Sequence, residues 1–198
     1  YWDALQKRLE MVKENMLPYQ YQEPELSWRQ LKKHASLEDM LIIPETGIES
    51  KRVKSLLEGL HKLPEGFKPL SKIDRINKGK QKLIAEGNID WALGELLAYG
   101  SLLTEGRNVR LSGQDVKRGT FSHRHAVIRD AETYEPYNRL NHLAEKQGRF
   151  MIYNSLLSEF AVLGFEYGYS LSSPDHMILW EAQFGDFFNG AQTIVDQY

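Results

Sequence analysis

No cysteine occurs among the 198 residues. That absence excludes a disulfide scaffold, a thiolate zinc site and a cysteine nucleophile, and it fits a reducing compartment. No apolar run approaches the roughly 18–20 residues a helix needs to span a bilayer, so no membrane is expected as a partner. Charge of one sign is not in excess either. Lys and Arg number 25 against 27 Asp and Glu, a net charge of -2, which gives no electrostatic footprint for nucleic acid. The common catalytic templates are also missing: there is no Gly-x-Ser-x-Gly elbow, no phosphate loop, no Gly-x-Gly-x-x-Gly and no His-Glu-x-x-His. The first residue is Tyr1 rather than Met, with neither an apolar signal core nor a transit pattern behind it. The sequence begins inside a helical pattern and reads as an internal piece of a longer chain.

What is present divides into two parts. Residues 1–85 carry 16 Lys and Arg against 12 Asp and Glu, whereas residues 86–198 carry 9 against 15, which places the boundary near Glu86-Gly87-Asn88. The first part, 1–85, reads as a mainly helical linker region punctuated by prolines. Trp2, Leu5, Leu9, Val12 and Met16 recur at helical spacing until Leu17-Pro18, and residues 18–30 are irregular and polar. Thr46-Gly47-Ile48-Glu49 has the form of a capping box ahead of the stripe Val53, Leu56, Leu57 and Leu60. The cations Lys68, Lys72, Arg75, Lys78, Lys80 and Lys82 have no aromatic residues interleaved, so they read as a solvated helix face.

The second part, 86–198, alternates between helix and strand. Asp90 is placed to cap a helix through Trp91, Leu96 and Leu103 that Gly106 ends. Strands are predicted at Asn108–Ser112, Phe150–Tyr153 and Met177–Trp180, the last apolar enough for a sheet interior. Ser158 caps a helix from Glu159 to about Leu171, with Ala161, Gly164 and Gly168 as a small-residue stripe admitting a neighbouring helix or strand. A last helix is predicted to carry Phe184, Phe187, Phe188, Ala191, Ile194, Val195 and Tyr198. The fold class is therefore α/β, a partial and mostly parallel sheet with flanking helices. The strands supplied are too few for a complete doubly wound layer, so the sheet is expected to be truncated.

Three segments can carry chemistry. Glu159, in the first turn of a helix that follows a strand, lies at the sheet edge where open α/β folds bind ligands, although the same placement also complements the helix dipole. Trp180 to Gln192 reaches the same edge, with Phe184 and Phe187 at i and i+3 and the polar Glu181, Gln183, Asp186 and Asn189 interrupting the run, a composition suited to a pocket. In Arg110 to His125, Ser-Gly-Gln-Asp is a turn that presents Gln114. His123 and His125 share one face if the segment is extended; with no third ligand at a recognisable spacing, no metal site is assigned, and proton transfer or anion recognition is the expected role.

Taken together, Arg110-Leu-Ser-Gly-Gln-Asp through Gly-Thr-Phe-Ser-His-Arg-His125, Ser155-Leu-Leu-Ser-Glu-Phe-Ala-Val-Leu-Gly-Phe-Glu-Tyr-Gly-Tyr169 and Leu179-Trp-Glu-Ala-Gln-Phe-Gly-Asp-Phe to Gln192 strongly resemble the 2-oxoglutarate dehydrogenase family. The resemblance is to the thiamine-diphosphate-dependent decarboxylating component, over the pyrimidine-binding domain that it shares with transketolases. It implies a truncated transketolase-like fold for 86–198, with the thiamine pyrimidine bound among Gln114, Leu157, Glu159, Gln183, Phe184 and Phe187. Glu159 would be the activating carboxylate that hydrogen-bonds the ring nitrogen, so that the cofactor loses its thiazolium proton; His123 and His125 would stand on the substrate side. The implied reaction is decarboxylation of 2-oxoglutarate, a step of the tricarboxylic acid cycle, followed by transfer of the succinyl group to the lipoyl group of a separate succinyltransferase. The family works as a homodimer, in the cytoplasm of bacteria or the mitochondrial matrix of eukaryotes. Its diphosphate and divalent metal, such as magnesium, are held by a Gly-Asp-Gly motif that does not occur in this sequence. The metal is therefore expected on a domain outside the chain, and the isolated 198 residues are expected to be inactive. Another thiamine-dependent 2-oxoacid dehydrogenase, or a non-catalytic interaction module that keeps the fold, are the alternatives.

Overall fold

The computed structural model describes residues 1–14, 26–31 and 36–198. The chain divides into two compact units, Tyr1–Lys33 and His34–Tyr198. In the first, α1 (Trp2–Glu14) and the short α2 (Leu26–Arg29) are the described elements, and the stripe Trp2, Leu5, Leu9 and Val12 is exposed. Met16, Leu17 and Pro18 lie outside the described residues.

The second unit starts with α3 (Leu37–Leu41), α4 (Ser50–His61), α5 (Ser71–Ala85) and α6 (Trp91–Thr104). A capping box does form, but at α3. There the Ser36 hydroxyl accepts the Asp39 N–H at 3.2 Å and the Asp39 carboxylate accepts the Ser36 N–H at 2.8 Å. The box expected at Thr46-Gly47-Ile48-Glu49 is absent, because Gly47 donates to the Glu45 carboxylate instead and α4 begins at Ser50 without a side-chain cap. Helix α6 follows expectation at both ends: Leu93 N–H donates to Asp90 Oδ1 at 2.7 Å, and Gly106 turns the chain at φ +84. Because α6 is apolar over most of its circumference, it is buried on two sides. Leu96, Tyr99 and Leu103 face the main core with Val109, Leu111, Phe150 and Ile152, while Leu93 and Leu97 pack with Leu56 and Leu57 of α4.

The sheet comprises β1 (Val109–Gly113), β4 (Phe150–Asn154) and β5 (Met177–Glu181), all parallel in the order β4-β1-β5. The expected parallel α/β arrangement is therefore observed, with one change of position. Strand β5, read as interior from its apolar sequence, is an outer strand with half-buried side chains, while β1 holds the centre with Val109 and Leu111 fully buried. Between β1 and β4 runs a small antiparallel hairpin, β2 (Val127–Arg129) with β3 (Pro136–Asn138), and a 3-10 turn at Arg139–His142 packs on α4. The hairpin is tied down at Asp130, whose carboxylate accepts the backbone N–H groups of Lys68, Glu132 and Thr133.

Helix α7 (Glu159–Ser170) covers the other face of the sheet and buries the Arg110–Glu166 ion pair. The small-residue stripe is used at Gly164, where a Cβ would meet the Ile194 side chain of α8 (Gln192–Gln197) at 3.4 Å. The long last helix expected from Phe184 does not form. Gly185 N–H closes a turn on Ala182 O, and Phe184 and Gly185 both take positive φ, so helix cannot run through them. A 3-10 segment, Asp186–Ala191, precedes the short α8 instead. The cationic run at 68–84 is not solvated throughout, since Lys80 is buried with its ammonium donating to His123 O at 3.0 Å.

Candidate active site

The parallel register brings the C-terminal ends of β1, β4 and β5 together, with Gly113 opposite both Asn154 and Glu181. In parallel sheets this edge collects the loops that bind ligands. After β1 the chain turns sharply at Gly113 and Asp115, both at positive φ, and presents Gln114. After β4, Ser158 caps α7 by accepting the Ala161 N–H, which sets Glu159 as the first helical residue. After β5, Ala182 and Gln183 continue along the edge. A narrow crevice, with no room for a free water molecule, runs among Gln114, Ser158, Glu159, Trp180, Glu181 and Gln183.

Glu159 is half-buried and its two oxygens are differently engaged. Oε1 accepts the Gln114 amide at 3.0 Å, whereas Oε2 takes no hydrogen bond from any described residue. Gly190, in the 3-10 segment, passes so close that a Cβ there would sit 3.1 Å from Oε2. The bare backbone at this point lets the 3-10 segment pack closely on the carboxyl. The carboxyl is thus anchored on one side and available on the other, which suits a group that exchanges a proton.

The other residues singled out from the sequence fall in two places. Gln183 lines the cleft with Gln114 and Glu159, whereas Leu157, Phe184 and Phe187 are exposed and are not among its lining residues. Phe184 and Phe187 do not share a helix face, because Phe184 precedes the turn at positive φ; its ring meets Phe121 edge-on at 5.6 Å. His123 and His125 do not share an extended face either, since Ser122 and His125 take positive φ and turn the segment. His125 is buried with Nε2 unpaired, and burial together with the nearby Lys72, Lys80 and Arg139 pushes its pKa down to about 4. His123 is also held below the ordinary imidazole range, first by burial and then by Arg124, and a Cβ on Gly119 would clash with its ring. Both imidazoles are therefore neutral near pH 7.

Sequence reasoning passed over Arg124, the most deeply buried charge in this region, at 1 % exposure. It lies between Glu95 of α6 and Glu181 at the end of β5. Its signal was legible: Glu95 is a lone carboxylate in the apolar run Trp91-Ala-Leu-Gly-Glu-Leu-Leu97, and a buried acid calls for a cationic partner. Among the described residues no group of three or more His, Asp or Glu side chains is arranged to hold a metal ion.

Comparison with known proteins places this geometry in context. Residues 87–198 match the family model described as "Transketolase, pyrimidine binding domain". The chain is 52% identical over 161 residues to the mitochondrial 2-oxoglutarate dehydrogenase of Caenorhabditis elegans, covering 81% of this chain and 16% of that protein. It is 44% identical over 199 residues to the mitochondrial 2-oxoglutarate dehydrogenase of Saccharomyces cerevisiae, covering 100% of this chain and 20% of that protein. To the 2-oxoglutarate dehydrogenase E1/E2 component of Corynebacterium glutamicum the identity is 49% over 157 residues, 78% of this chain and 13% of that protein. The chain thus spans a fifth or less of the length of these relatives.

Proposed function

Because the chain belongs to the transketolase pyrimidine-binding domain family, we propose that residues 86–198 supply the pyrimidine side of a thiamine diphosphate site in a 2-oxoglutarate dehydrogenase, with residues 1–85 as a linker region. The observation that carries this reading is Glu159 at the crevice, with Oε1 held by Gln114 and Oε2 beside Gly190 without a hydrogen-bond partner among the described residues. An aminopyrimidine offers a ring nitrogen that shares a proton and an adjacent amine that donates. A carboxyl with one oxygen free, beside the Gln183 amide, is a fitting donor set for that edge. When bound, thiamine diphosphate supplies the electron sink for loss of carbon dioxide from a 2-oxoacid.

The chain's own residues then divide the work. Glu159 holds and releases a proton at Oε2. Gln114 fixes the carboxyl plane, and the Ser158 cap fixes the start of the helix that carries it. Phe184, Phe187 and Leu157 provide apolar surface beside the cleft for the heterocycle. His123 and His125, both neutral, stand on the substrate side of the site. The divalent metal and the diphosphate belong to a domain outside this chain, brought up by the second subunit of a homodimer. The succinyl group passes to the lipoyl group of a succinyltransferase. Such an enzyme works in the mitochondrial matrix or, in bacteria, in the cytoplasm.

The test is Glu159→Gln in the full-length protein, assayed by release of labelled carbon dioxide from 2-oxoglutarate. Removing one proton-transfer group costs on the order of 10²–10⁴ in rate. An undiminished rate would overturn the assignment and favour a non-catalytic module. A matching loss with a different 2-oxoacid, and no turnover of 2-oxoglutarate, would point to a sister dehydrogenase.

A further inference from the structure

The guanidinium of Arg124 is engaged on every N–H. Nε and Nη2 donate to Glu95 at 2.9 and 2.7 Å, Nη1 donates to Val116 O at 2.8 Å and to Glu181 Oε1 at 3.2 Å, and Nη2 also reaches Glu181 Oε2. Two carboxylates on one arginine leave the cluster one negative charge in excess. Glu95 and Val116 O leave two of the five N–H donors of Arg124 unmatched, and Glu181, its side chain 30% exposed, takes both of them. What distinguishes Glu181 is its place: it lines the cleft that holds Glu159.

We propose that Arg124 is a positioning residue for this cleft. It pins the Glu181 carboxylate against the protein and offsets its charge, so that Glu159 is the carboxylate left to exchange a proton. This rests on the thiamine-site reading above and goes beyond it, because Arg124 is not among the residues lining the cleft. The charged and titratable groups around Arg124 are Glu95 and, through it, Tyr99 from α6, Glu181 from β5, the neighbouring His123, and Lys80 of α5, which is bonded to the His123 carbonyl. Glu181 and Glu159 are the carboxylates that line the cleft among the described residues. Lysine cannot replace Arg124, since an ammonium has three donors and no double fork.

The experiment uses the full-length enzyme with Arg124→Met, Glu181→Gln and the double variant. Two readouts are followed between pH 5.5 and 9: the acid limb of kcat/KM, and thiamine diphosphate affinity of the cofactor-free enzyme by quenching of tryptophan fluorescence. Arg124→Met leaves two carboxylates unopposed, so protons are held more tightly in the cleft and both profiles move up by about 1 pH unit. Glu181→Gln moves them down, and the double variant returns them toward the wild type. Parallel profiles, with an equal loss at every pH and no restoration in the double variant, would show a merely structural arginine and overturn the proposal. Should Arg124→Met fail to fold, Glu181→Gln decides alone, since it keeps the Arg124–Glu95 fork; an unmoved acid limb there refutes charge compensation. The wider reading fails separately, through an undiminished Glu159→Gln rate.

Discussion

Gly113 is the residue at which strand geometry and the cleft meet, and its replacement by alanine has a calculable effect. It ends β1 at φ +151, and a Cβ built there would lie 2.4 Å from the Glu181 carbonyl oxygen and 2.7 Å from Val116 Cγ1. Ordinary contact begins near 3.4 Å. The end of β5 would therefore have to retreat by about 1 Å, against a backbone carbonyl that no rotamer change can move. Overpacking of this kind costs about 1–3 kcal/mol, and a non-glycine residue at such a φ adds on the order of 1–3 more. We expect Gly113→Ala to lose about 3 kcal/mol, lowering the melting temperature of the transition that reports this domain by roughly 6–12 °C. Scanning calorimetry of the full-length protein measures it, with Gly106→Ala as control, since Gly106 has positive φ but nothing within 4 Å of its Cβ position. The control should lose only about 1 kcal/mol. Equal effects at the two positions would refute the close-contact reasoning. Because β5 leads into Gln183, the Gly113 variant should also bind thiamine diphosphate less tightly, whereas the control should not.

Two further outcomes follow from the buried charges. Arg110 holds Glu166 through two hydrogen bonds of 2.7 and 2.8 Å, and its guanidinium stacks on Tyr153 and Tyr169 at 4.7 and 4.6 Å. Arg110→Met strands a buried carboxylate and should cost about 3–5 kcal/mol in denaturant unfolding, with part recovered on adding Glu166→Gln; a loss under about 1 kcal/mol would contradict the pairing. Acid should destabilise the fold in two windows. His125 has its pKa lowered from 6.5 to about 4, so the unfolded chain takes up this proton first and stability is lost as pH falls through that interval. The Lys68, Thr133 and Glu132 N–H groups hold Asp130 down from 3.8 to about 2, so its contribution, full above the ordinary carboxylate range, fades between those two values. Melting temperatures measured from pH 7 to 2 should show His125→Gln flattening the first window and Asp130→Asn the second; unchanged profiles would refute both.

The elements that local chemistry dictates were readable from the sequence. Asp90 and Ser158 announce α6 and α7 because a cap needs only its own next turn, while β4 and β5 announce themselves by apolar composition and β1 by alternation. Glu159 was readable for the same reason, since a capped helix following a strand fixes where its first residue lies. Two of the misreadings depended on distant partners. Nothing within Met177–Trp180 says that β1 will take the middle of the sheet. Lys80 looks solvated until the His123 carbonyl arrives from 43 residues away. Phe184 and Phe187 looked like one helix face because the spacing allowed it, whereas Gly185, with its positive φ, was the local sign that the helix would be interrupted. The β2–β3 hairpin is three residues a side, too short for periodicity to register, and it is pinned by Asp130 to a strand-like bridge at Pro69.

The parallel sheet also shapes how this polypeptide reaches its native state. Each ladder of β1 joins segments far apart in the chain, 41 residues separating Asn108 from Arg149 and 68 separating it from His176 at the entries to β4 and β5. No tight turn can nucleate such pairings, and the entropy of closing both loops is lost before either ladder forms. Helix α6 and the β2–β3 hairpin can assemble within their own neighbourhoods, leaving β1 waiting during synthesis for strands that have yet to leave the ribosome. For that interval α6 can cover Val109 and Leu111, but the backbone N–H and C=O groups along both edges of β1 stay unpaired, open to a wrong strand.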